Sequence, residues 1–154
     1  MKPVLSFTIL AIFLITLCIP AQGQDYQRTK GIGVILGDPT GISAAYRTSQ
    51  TQIFSGAAAW HLRDNPKLHL HLDYLFYRFN ILEVDRGALP LYFGLGGRLR
   101  FDDDNKMGVR FPLGIAYHFD NDPFELFLEI VPILELVPET TLSGNSGIGL
   151  RYYF

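Results

Sequence analysis

Phe124-Glu-Leu-Phe-Leu-Glu-Ile-Val-Pro-Ile-Leu-Glu-Leu136 is the stretch that decides the fold. Its even positions, Phe124, Leu126, Leu128, Ile130, Pro132, Leu134 and Leu136, are all apolar, while Glu125, Glu129 and Glu135 fall on odd ones. A helix would scatter these glutamates around its circumference; a strand gathers all three on one face.

The same period of two runs outward from this segment. In 89–102, Leu89, Leu91, Phe93, Leu95, Leu99 and Phe101 alternate with residues that include Tyr92, Gly94, Gly96, Arg98 and Arg100. In 107–119, Met107, Val109, Phe111, Leu113, Ile115, Tyr117 and Phe119 alternate with Gly108, Arg110, Pro112, Gly114, Ala116 and His118. Segments 67–76 and 147–154 repeat the design, and 31–37, 41–47 and 53–62 carry it more weakly. Turn residues stand between them at Gly37–Gly41, Arg63–Pro66, Asp102–Lys106 and Asp120–Pro123. This pattern predicts eight antiparallel strands, closed into an up-and-down barrel.

The 154 residues suit one domain, and 48% hydrophobic with 18% charged residues excludes a disordered chain. A net charge of −2 gives no electrostatic footprint for nucleic acid. Lys2, the apolar run Val4–Ile19, Pro20 and the small-x-small triplet Ala21-Gln22-Gly23 read as a secretory signal peptide over residues 1–23. The run falls short of the ~20 residues of a membrane-spanning helix. Leu17 is too large for a lipoprotein site at Cys18, the only cysteine. Residues 24–154 then form an exported barrel domain without thiol chemistry.

Alternation alone leaves the solvent of the apolar face open; composition decides it. A water-facing side would carry many Lys and Glu, but the second face here is rich in Gly, Ala, Pro and Tyr with a few Arg and Glu. Small residues beside large polar ones suit a crowded lumen where Arg and Tyr lie flat. The first face is Leu, Ile, Val and aromatic, with Tyr74, Phe76, Phe101, Tyr117, Phe119, Tyr152 and Phe154 toward strand ends, as in interfacial girdles. The expectation is an apolar outside and a transmembrane barrel.

The ending Ile148, Leu150, Tyr152, Phe154, at every second position, resembles the C-terminal signal that outer-membrane proteins present to the barrel-assembly machinery. The mature chain resembles the small bacterial outer-membrane β-barrels of the OmpA-like and OmpX-like eight-stranded type. With Gly31–Ser43, the ending looks like one such family without assigned activity. The resemblance implies outer-membrane lipid and the assembly machinery as partners. It departs in one respect. With both ends in the periplasm, the outer connections 37–41, 63–66, 102–106 and 138–145 are all short, and the longest, 80–88, lies on the periplasmic side. Loop-based adhesion is therefore not expected.

Arg98, Arg100, Arg110, Glu125, Glu129, Glu135 and Arg151 share the polar faces of four consecutive strands. They read as a salt-bridged plug rather than an ion path, because eight strands enclose only enough space for side chains. His69 and His71 share a face, and parity places His61 opposite His69 across the Arg63–Pro66 turn. Lumen packing is preferred there to a metal site. Ser43 and Ser55 face inward and assemble no nucleophile system with a His and an Asp. The expected role is structural, in membrane integrity, with no catalysis, cofactor or metal. Two other readings stand beside it: a soluble periplasmic lipocalin-like barrel holding an apolar ligand, with the faces inverted, and a lipid-modifying outer-membrane barrel enzyme.

Overall fold

The structure is a computed structural model that describes residues 28–38, 40–61 and 67–154. The segment 1–23 with Cys18, expected to be a signal peptide, and the expected turn Arg63–Pro66 lie outside the described residues. Nine strands follow in order: β1 Lys30–Asp38, β2 Gly41–Arg47, β3 Gln52–His61, β4 Lys67–Arg78, β5 Leu91–Phe101, β6 Lys106–Arg110, β7 Leu113–His118, β8 Phe124–Val137 and β9 Thr141–Tyr153. Every pairing is antiparallel, and the ladder runs round a ring: each strand pairs with the next except β6 with β7, which are each held between β5 and β8, and β9 pairs back onto β1. Lys30 and Phe154 exchange backbone hydrogen bonds of 3.3 and 2.8 Å at one end of the ring, here called proximal.

The alternation read from the sequence orients the wall. In β8 burial alternates from Phe124 to Ile133, with Glu125, Phe127, Glu129, Val131, Ile133 and Glu135 buried and Leu126, Leu128 and Ile130 exposed. In β1 and β9, Ile32, Val34, Leu36, Ile148, Leu150 and Tyr152 point outward and are about half exposed. The greasy face is thus the outer face. The inside is filled by Ile35, Ile53, Leu75, Tyr77, Tyr92, Phe127 and Tyr153 together with charged groups.

Glycines make that filling possible. Gly31 is the cross-strand partner of Tyr153, Gly114 of Tyr92 and Gly149 of Phe127. In each pair the ring lies where a Cβ on the glycine would stand. An inward ring on one strand therefore lies flat on the bare backbone of the next. Gly149→Val is expected to cost about 1–3 kcal/mol through overpacking against Phe127. The shift in unfolding midpoint of the refolded protein measures it.

Three expectations need correction. The segment 107–119 is two strands, because Phe111-Pro112 interrupts the ladder and proline has no N–H to donate. No residue is gained or lost there: Arg110 faces Ile133 and Leu113 faces Ile130 in one continuing register. Bonds from Gly94 N to Pro112 O and Phe111 N to Pro132 O, both 2.9 Å, cross the gap. The last strand starts at Thr141, not Gly147, so the connection 138–145 shrinks to 138–140. Thr141–Ser146 has Leu142 as its one large apolar side chain and so shows no apolar alternation, yet it pairs with β8 as far as Glu135↔Thr141. Finally, His61 pairs with Lys67, and the residue opposite His69 is Ala59.

The aromatic residues expected near strand ends gather mostly proximally. Phe54 and Tyr74 (4.6 Å between ring centroids), Tyr74 and Phe76 (4.9 Å), Tyr117 and Phe119 (4.8 Å), and Phe124 and Tyr152 (5.2 Å) form contacting pairs there. Trp60 and Phe101 mark the opposite, distal end.

Candidate functional site: a charged lumen

The inward charges form three levels along the axis. At the proximal level Glu125, fully buried, is the hub. Arg151 Nη1 donates to it at 3.0 Å from the directly opposed position on β9, and His118 Nε2 lies 2.8 Å away. Arg47 Nη2 donates at 3.4 Å, Tyr153 Oη at 3.3 Å and Tyr77 Oη at 3.5 Å. The two guanidinium groups also stack on rings, Arg47 at 3.9 Å from the Tyr153 centroid and Arg151 at 4.0 Å from that of Phe127. Arg151 uses its remaining donors on Ser43 Oγ (2.9 Å) and Ser55 Oγ (2.6 Å). Both serines are thus engaged as acceptors beneath a guanidinium.

At the middle level Arg110 Nε donates to both oxygens of Asp73, at 2.9 and 3.2 Å, and its Nη2 stands 3.6 Å from Glu129. Tyr92 Oη donates to Glu129 Oε2 at 3.1 Å, and its ring stacks on Tyr77 with centroids 5.0 Å apart. These two tyrosines join the middle level to the proximal one. At the distal level Arg98 pairs with Glu135, which also accepts from Ser143 Oγ at 2.9 Å.

Two of these ion pairs reach across an intervening strand, and glycine is the residue crossed. Arg110 is opposite Gly96, which is opposite Asp73; Arg98 is opposite Gly108, which is opposite Glu135. A Cβ on Gly96 would collide with the Asp73 carboxylate, and one on Gly108 would press on Glu135 Oε2 at 3.0 Å. Glu129 likewise has glycine on both sides, Gly114 and Gly147. At the middle and distal levels each paired charge thus stands beside a glycine across the ladder, whereas Glu125 at the proximal level stands between His118 and Arg151.

Of the seven charges singled out in the sequence, Arg98, Arg110, Glu125, Glu129, Glu135 and Arg151 are buried inside the ring. Arg100 sits at the distal rim, its side chain 30% exposed, with Nε 2.8 Å from Asp102. Sequence reasoning missed Asp73, Arg47, His118, Tyr77, Tyr92 and Tyr153 as members of the network. Their parity with neighbouring inward residues was the available signal. His69 and His71 are neighbours, with rings 5.8 Å apart, and His71 Nε2 lies 3.7 Å from Asp73. No group of three His, Cys, Asp or Glu able to hold a metal ion occurs among the described residues. Ile148, Leu150, Tyr152 and Phe154 lie on the outer face, 41–57% exposed.

Residues 22–154 match the family model described as "Protein of unknown function (DUF3996)". The chain belongs to this family. No curated protein matches it. Among solved structures, the crystal structure of the N-terminal β-barrel domain of Pseudomonas aeruginosa OprF is similar, with a TM-score of 0.59 and 13% sequence identity. The likeness covers 82% of this chain and 96% of that one. At that identity it speaks to the fold alone, and the fold is a β-barrel. The DUF3996 chain thus combines a barrel wall with an apolar exterior and an interior of paired charges.

Proposed function

We propose that this DUF3996 protein is an exported, integral outer-membrane β-barrel of the OmpA-like and OmpX-like type, with a plugged lumen and a structural role in membrane integrity, without catalysis. In this reading β6 and β7 are two halves of one strand, since their register is continuous, and the barrel is a closed one of eight. The observation that carries the proposal is the orientation of the wall. Leucine, isoleucine, valine and phenylalanine from all around the ring face outward, whereas soluble monomers rarely expose contiguous apolar patches larger than a few hundred Å². A carrier of apolar ligands needs those residues inside, around a cavity. The OprF barrel domain supports the same architecture.

The paired charges supply the plug. Buried charges lacking partners cost several kcal/mol each, and here each of the three levels holds its own acid and base. Phe127, Ile53, Leu75 and Ile133, all essentially unexposed, fill the space between them. The outward residues of β9 then present Tyr152 and Phe154 to the assembly machinery, and lipid is the partner of the wall.

Fractionation of expressing cells tests the proposal. The protein is expected in the outer-membrane fraction, migrating on a gel at one position unheated and at another after boiling. Recovery as a folded, amphiphile-free protein in the periplasmic extract would overturn it.

A further inference from the structure

The outward positions of β5 are Leu91, Phe93, Leu95, Gly97, Leu99 and Phe101, so one glycine interrupts a row of large apolar side chains. Its direct cross-strand partners are Leu72 on β4 and Val109 on β6. A Cβ on Gly97 would meet no atom within 4 Å, whereas a Cβ on every other described glycine would. Leu72 does not close this gap, because its Cδ1 leans the other way, 3.6 Å from where a Cβ on Gly56 would stand. Farther round the wall β8 carries an extra residue. Met107 faces Val137 and Gly108 faces Glu135, which leaves Leu136 between them as a bulge.

The result is a groove of about 520 Å³ in the outer wall, running from β4 across β5 and β6 to Leu136 on β8. Three steps between strands make it ~14 Å long, while it covers only about two residues along each strand. Leu72, Leu99, Met107 and Leu136 stand along it, each exposed on the outer face. Arg98 also lines it, but is 3% exposed and joined to Glu135 inside the ring, so its charge is not presented to the groove. A long, narrow, apolar slot matches a linear hydrocarbon chain; one side chain from a neighbouring protein would fill only part of its length. Lipid tails have no hydrophobic reason to prefer one part of such a wall, so packing decides. A smooth wall touches a passing chain on one side and a groove touches it on three, and dispersion contacts accumulate accordingly.

We propose that this groove seats one unbranched acyl chain of a membrane phospholipid and so holds that lipid at a fixed place on the barrel. The site rests on the reading that the outer face meets hydrocarbon, and adds to it a selectivity for chain shape set by Gly97.

The test uses the full barrel folded in detergent micelles, with isotope-labelled methionine methyl groups followed by NMR. Met107, 50% exposed beside the groove, is the only methionine besides Met1. Dipalmitoyl phosphatidylcholine is expected to shift the Met107 methyl resonance saturably, at one lipid per barrel. Diphytanoyl phosphatidylcholine has the same headgroup and main-chain length but methyl branches, and is expected to bind at least tenfold more weakly. Gly97→Leu fills the groove and is expected to abolish the lipid-dependent shift, with heat-dependent gel mobility unchanged because a Cβ there meets nothing. Gly97→Ala takes less of the space and is expected to weaken binding less. No shift, a shift that never saturates, one equal for both lipids, or one that survives Gly97→Leu would overturn the proposal in favour of unselective solvation by lipid. A shift that follows protein concentration instead of lipid would overturn it in favour of a second copy of this chain. In each of those cases a barrel that still needs detergent leaves the membrane reading standing. A chain that stays folded and dispersed once detergent is removed would overturn both.

Discussion

Glu125→Ala is expected to destabilise the barrel by about 3–5 kcal/mol, the cost of stranding a buried guanidinium without its counter-charge. Glu125 is fully buried and takes contacts from Arg47, Tyr77, His118, Arg151 and Tyr153, which come from four different strands. Its removal leaves Arg151, 2% exposed, with only two serine hydroxyls and the face of Phe127. The hydrophobic filler around it cannot rearrange to admit water, since Phe127 and Tyr77 already lie against glycine or another ring. Urea unfolding followed by the fluorescence of Trp60, the single tryptophan, reads the loss. Glu125→Gln keeps the shape and an acceptor and is expected to lose less. A loss below about 1 kcal/mol for Glu125→Ala would show that the hub is not held together as described.

The barrel wall was legible because alternation is a direct consequence of strand geometry, and no other feature competes with it in β4, β5, β8 or most of β9. Where legibility failed, a specific residue type hid the pattern. Thr141–Ser146 continues β9 with Leu142 as its one large apolar side chain among Thr, Ser, Gly and Asn, so period two carries too little contrast there although Ser143 and Asn145 still point inward to Glu135 and Arg98. At Pro112 the apolar alternation runs on while the missing N–H breaks the ladder, which a face pattern does not report. The histidine placement failed on register: parity fixes a face but not which residue stands opposite, and His61 fell two positions away from His69.

The interior was legible as a set of charges, not as a set of partners. Opposite charges on adjacent strands were visible, yet of the seven singled out only Glu125 and Arg151 stand directly opposite each other, and the other direct partner of Glu125 is His118. Arg98 and Arg110 instead reach over a glycine to the strand beyond. Seen in this light, the many glycines of the polar face are the positions over which side chains cross, and Asp73 was the hidden acid that makes the middle level possible.

The central claim is that the outer face meets hydrocarbon, and Leu128→Arg tests it most directly. Leu128 is 53% exposed on β8, and its cross-strand neighbours Ile148 and Ile115 share the apolar wall well away from either rim. Phe127→Arg cannot serve, because Phe127 is buried inside and its loss would damage the lumen in any medium. In phospholipid vesicles, Leu128→Arg is expected to lower the unfolding free energy by about 2–4 kcal/mol relative to the wild-type barrel, as for a cation facing lipid near the bilayer midplane. A change within about 0.5 kcal/mol, the usual effect of a substitution on a water-facing surface, would contradict the account.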